Sequence, residues 1–145
     1  MIDLRIKSLF FDRPKVQRAV DKAKRAVLSR AGAFIRQTAK QSMRHRKGSA
    51  PPGRPPYVHA GHLRRLIFFG YDANSESVVI GPLGFRRSDA PNVLEFGGAT
   101  VVERRRRRGR RERRKVRIAR RPYMGPALEK ERPKLPKLWA NSVRG

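Results

Sequence analysis

Hydrophobic and polar positions alternate at the start of this chain, then change period twice. Over residues 2–10, Ile2, Leu4 and Ile6 share one side and Asp3, Arg5 and Lys7 the other, which predicts a half-buried strand. Asp12 stands where a helix cap is expected, and Pro14 where a first turn tolerates proline. Val16, Val20, Ala23, Val27, Ala31, Phe34 and Ile35 then recur at spacings of three and four. That stripe predicts one long amphipathic helix over residues 13–43. Lys15, Arg18, Lys22, Arg25 and Arg36 lie largely outside the stripe and are expected to face solvent.

The helical period stops at residues 44–62. Pro51, Pro52, Pro55 and Pro56 lack amide donors and clash with a preceding helical turn, so this stretch reads as a stiff, polyproline-like strap. A strap of this kind is a connector by default, although extended backbone also offers free groups to a neighbour. Strand periodicity follows over residues 63–71 and 76–80, with turn chemistry in Asp72-Ala73-Asn74-Ser75 between them. Leu83–Ala90 reads as a loop within this region, and residues 63–98 together are expected to supply the sheet, ending at the Gly97-Gly98 pair. Residues 99–120 read as a long basic hairpin with strand-like flanks. Ala127, Leu128, Leu135, Leu138 and Trp139 outline a C-terminal helix over residues 126–143, with Trp139 in the core and Pro133 and Pro136 kinking or restarting it. The fold class expected is α+β in a single domain: a long N-terminal helix on an antiparallel sheet, an arginine-rich hairpin and a short C-terminal helix.

Composition sharpens this picture. The 145 residues suit one domain with a real core, yet the formal net charge is +26. Such a charge calls for a polyanionic or acidic partner. The chain has no cysteine, so disulfides, thiolate metal sites and cysteine nucleophiles are excluded. The Met1–Phe11 opening lacks the pattern of a secretory leader, and no apolar run approaches the roughly 20 residues of a membrane span. A soluble protein acting without a membrane is the expectation.

Nearly half of that charge has one address. Residues 104–121 hold twelve arginines and Lys115 against the single acid Glu112. The candidate polyanion-binding residues are Arg104, Arg105, Arg106, Arg107, Arg108, Arg110, Arg111, Arg113, Arg114 and Lys115. Guanidinium groups stay charged and fork onto phosphates, and such contacts gain from counterion release without reading sequence. No aromatic residue interrupts the run, so base stacking is not implied. Nucleic acid, an acidic protein surface and plain solvation all remain open for it. Elsewhere, His59 and His62 have no acid beside them, and His45 stands apart. The serines lack an elbow context, and Gly81-Pro82-Leu83-Gly84 lacks the lysine of a phosphate loop. No enzyme, metal or cofactor is expected.

Three separated motifs carry a resemblance. They are PPGRPPYVHAGHLRRLI at residues 51–67, VVIGPLGF followed by PNVLEFGG within residues 78–98, and RPYMGPALEKE at residues 121–131. In this order they resemble the tail-completion, or head–tail joining (neck), proteins of long-tailed bacteriophages. Gly53, Pro55, Pro56, Gly61, Leu63 and Arg64 match the first signature of that family, and Gly81 the second. Leu94, Glu95, Phe96 and Gly97 match the third; Arg121, Pro122, Pro126, Ala127 and Leu128 match the last. The resemblance spans about residues 12–140. His62, Arg65 and Gly98 depart from it, and the arginine hairpin is longer and more basic than the family pattern.

The resemblance implies a non-enzymatic virion protein, assembled in the host cytoplasm into a homo-oligomeric, six-fold ring at the junction of capsid and tail. Its implied neighbours are other neck or connector proteins, the tail tube and the packaged double-stranded DNA. The matched residues would then be fold signatures. Six copies of a segment carrying +12 would bring roughly +72 to one collar. The alternatives are a tail terminator or another neck ring, and a basic ribosomal or nucleoid-like nucleic-acid-binding protein. The dense basic run is internal and hairpin-shaped here, whereas ribosomal proteins usually spread basic residues over terminal tails.

Overall fold

The computed structural model describes residues 12–85, 89–105 and 111–143. Its spine is helix α1, Arg13–Ser42, whose first turn is capped by the Asp12 carboxylate accepting from the Lys15 amide at 3.0 Å. The apolar stripe works as a seam only from Ala23 onward. Ala23, Val27, Ala31, Ile35 and Ala39 are buried, whereas Val16 and Val20 near the N-terminus are exposed. Phe34, one position from the buried Ile35, also points out. The expected strand over residues 2–10 lies outside the described residues.

Strands β1 (Ile67–Asp72) and β2 (Ser77–Pro82) form an antiparallel hairpin laid on α1, in register from Ile67 opposite Pro82 to Asp72 opposite Ser77. The turn is organised by Asp72, whose carboxylate accepts from the Asn74 amide and the Ser75 hydroxyl. Those bonds hold its pKa below the ordinary aspartate value. Helix and hairpin meet closely at Gly32, where a Cβ would lie 2.7 Å from Val78 Cγ2 and 2.9 Å from the Phe69 ring. Any side chain there would have to push the two apart.

The expectation of a sheet region over residues 63–98 needs correcting in two places. His62–Arg65 makes one helical turn (α2), so the strand begins at Ile67 and not at Leu63. Gly61 sets this up at φ 75°, a conformation natural to glycine. Ala90–Phe96 is also helical (α3), with Pro91 in its first turn, where the missing amide costs nothing. The proline strap departs from a stiff rod too: it turns at Gly53, with the Arg54 amide donating to the Pro51 carbonyl.

Beyond α3, strands β3 (Gly98–Arg105) and β4 (Arg111–Ile118) pair antiparallel as a second, separate two-stranded ribbon. The chain ends in α4 (Met124–Glu131), a short tight turn at Arg132–Lys134 and α5 (Leu135–Trp139), the restart that Pro133 and Pro136 announce. Helix α4 packs on α1. Trp139 is not core: it is 45% exposed, because the broken axis turns it away from the seam. Ala127 and Glu131 face inward instead.

The core gathers Ile35, Ala39, Met43, Val58, Ile67, Tyr123 and Ala127, with Leu63, Ile80, Leu94 and Met124 at its margin. Glu131 is the buried acid beside it. It accepts from the Thr38 hydroxyl at 2.7 Å and pairs with Lys134 at 3.0 Å, and these bonds lower its pKa. A depressed carboxylate contributes stability above its unfolded pKa, and that contribution is lost as pH falls through the folded value.

Candidate nucleic-acid interface

The ribbon grows from a knot of backbone and side-chain bonds that joins the three sequence motifs. Glu95, near the end of α3, reaches across to the first turn of α4. Its Oε2 accepts from the amides of Tyr123 at 2.8 Å and Met124 at 3.0 Å, and its Oε1 from that of Gly125 at 2.8 Å. Donors at a helix N-terminus have no partner within the helix, and the local positive potential favours an anion there. The cap thus comes from a residue 28 to 30 positions away.

Arg121 completes the knot. Its amide donates to the Leu94 carbonyl, and its Nε donates to the Ala50 carbonyl at 2.7 Å. The neighbouring Arg120 carbonyl accepts from the Gly53 amide at 2.9 Å. Gly97 lets the chains approach: its φ is +80°, and a Cβ there would sit 3.1 Å from the Arg120 nitrogen. So Ala50 to Gly53, Leu94 to Gly97 and Arg120 to Gly125 are tied together where the ribbon leaves the body. The strap's backbone is engaged by its own chain, through Gly53 to Arg120 and Val58 to Arg44. Tyr123, 1% exposed, sits beneath the knot, and burial together with the Glu95 charge pushes its phenol up to about 12.

Along the ribbon the register runs unbroken from Gly98 opposite Ile118 to Arg105 opposite Arg111. Alternate residues face opposite sides. Ala99, Val101, Glu103, Arg111, Arg113, Lys115 and Arg117 share one face, and every one of them is exposed. Thr100, Val102, Glu112, Arg114, Val116 and Ile118 share the other, and Thr100, Val116 and Ile118 at its base are half-buried. The Glu103 carboxylate pairs with Arg113 Nε at 2.6 Å across the strands.

Among the candidate residues, Arg111, Arg113 and Lys115 are thus brought together, while Arg114 points to the opposite side. Arg104 and Arg105 end β3, and Arg106, Arg107, Arg108 and Arg110 lie outside the described residues. Arg117 belongs with the exposed cations and was not among the candidates. Its parity with Lys115 was the signal that identifies it. Arg121, counted within the basic run, is instead a structural donor at the ribbon's root.

Among the described residues, no group of three His, Cys, Asp or Glu could hold a metal ion. No described helix is long and apolar enough to cross a membrane. No protein-family model, curated protein or solved structure matches this chain.

Proposed function

We propose that this chain is a non-enzymatic structural protein of a bacteriophage virion: a ring-forming subunit of the neck or tail-completion complex between capsid and tail. The observation that carries the reading is the knot. The segments that resemble the neck-protein signatures lie far apart in sequence, yet Gly53, Leu94, Glu95, Gly97 and Arg121 meet at one place in the fold. Residues that share a fold-making task are what a family signature should contain. The basic ribbon supports the same reading, since a collar around a DNA channel sets several such ribbons near phosphate.

Electron cryo-microscopy of virions that carry the chain tests this. The expected result is repeated copies forming a collar between capsid and tail. Particles that lack the protein, with the chain instead co-sedimenting with host ribosomes or nucleoid, would overturn it.

A further inference from the structure

We propose that the ribbon binds duplex nucleic acid through one face only, with Arg111, Arg113, Lys115 and Arg117 seated on the phosphate backbone. This rests on the reading above that the arm meets DNA, and it assigns the side chains that do so.

The argument starts from parity. Of the described side chains, the outward face carries four cations and one carboxylate, Glu103; the other carries Arg114 and Glu112, one of each sign. All of the ribbon's net described charge is therefore on one side. That side is also the one turned away from the body, since its members are exposed while Thr100, Val116 and Ile118 opposite are half-buried. A composition count cannot show this, because it sums the two faces.

Spacing and chemistry then select the partner. Cations at every second residue of a strand recur about every 7 Å, so four of them cover roughly 20 Å in a line. A row that regular suits a polymer whose charges repeat, such as a nucleic-acid backbone, better than the scattered carboxylates of a protein surface. Three of the four are arginines, whose guanidinium forks match phosphate oxygens. The described ribbon holds no aromatic residue on which unpaired bases could stack, which favours a duplex over a single strand. A two-stranded ribbon also has a width that the major groove of a duplex admits. Contacts of this kind are blind to sequence. Glu103 is the one anion on the face, and it holds part of Arg113's charge away from a ligand.

The test compares two full-length variants with equal loss of charge. The first carries Arg111→Gln, Arg113→Gln, Lys115→Gln and Arg117→Gln. The second carries Arg114→Gln, Lys130→Gln, Arg132→Gln and Lys137→Gln, all exposed positions off that face. Binding to a short duplex of arbitrary sequence is titrated at several salt concentrations, with circular dichroism confirming that each variant is folded. The face variant should bind at least tenfold more weakly, and the slope of log affinity against log salt should flatten by about 3 to 4. The off-face variant should keep the parent slope to within about one unit. A third variant, Glu103→Gln, should bind more tightly than the parent.

Equal losses in the two fourfold variants, or weaker binding by Glu103→Gln, would overturn the face assignment while leaving a DNA-binding neck protein in place. A parent chain that ignores duplex even at low salt would overturn the DNA-facing arm itself.

Discussion

Deleting residues 104–114 is expected to leave a folded protein and to abolish the production of DNA-filled, tailed particles. The excised segment holds nine arginines and Glu112, so each copy loses eight units of positive charge. No member of the core described above goes with it, because that core lies among α1, β1, the strap and the segment around Tyr123. Gly98 to Val101 would still face Lys115 to Ile118, leaving Val102 and Glu103 to close the shortened turn. The knot at the root is untouched. In the proposed ring of identical subunits the loss would be repeated in every copy, which is why a change that spares the fold should show so strongly in the particle. Counting filled heads, tailed particles and infectious units from a phage carrying the deletion checks this. Normal yields of stable, infectious virions would show that the arm has no part in joining head to tail.

Glu95→Ala is expected to be the most damaging change made without touching an apolar core side chain. It strips three backbone donors at the start of α4 of a charged acceptor. The amides of Tyr123 and Met124 are in a part-buried setting, so water replaces the carboxylate poorly. A loss of about 2–3 kcal/mol follows, or a fall in Tm of roughly 5–12 °C for a chain of this size. Glu95→Gln should do less harm, since its carbonyl oxygen still accepts while its amide group opposes the remaining donors. Thermal unfolding of the three proteins at neutral pH is the check, and unchanged Tm values would contradict the cap.

The same knot sets an alkaline limit. Tyr123's folded pKa, about 12, lies above the ordinary tyrosine value, chiefly through burial and then through Glu95. The unfolded chain therefore loses its phenolic proton first as pH rises. Stability from this group is intact below about pH 10 and drains away between there and about pH 12.

Local pattern made much of the fold legible. The stripe from Ala23 to Ala39 and the Asp12 cap describe α1, and Asp72 describes the first hairpin turn, because each depends on neighbours a few residues apart. Residues 90–96 were less transparent. Seven residues with a proline in second place and an apolar end satisfy a strand and a short helix equally, and tertiary contacts decide between them. Trp139 misled for a related reason: two prolines break the helix axis, so the stripe written in sequence does not stay on one side in space. Glu95 as a cap could not be read from spacing at all, since its partners lie 28 to 30 residues on. The resemblance marked it as a signature without saying what it does.

At the candidate site the charge was obvious and its direction was not. A run of arginines looks uniform until alternation along β4 is applied, which separates Arg114 from Arg111, Arg113 and Lys115 while adding Arg117. That Glu103 joins the cationic face, and that this face is the exposed one, comes from the pairing of β3 with β4 and from the fold, which no count of residues along one strand reveals.

The most direct single test of a ring built around DNA is the solution mass of the purified full-length chain, at moderate and high salt, with and without short duplex. Such a ring would appear as closed multiples of the 16.7 kDa chain that take up duplex at moderate salt and release it at high salt. A single chain at both salts, whether or not duplex is present, would contradict it.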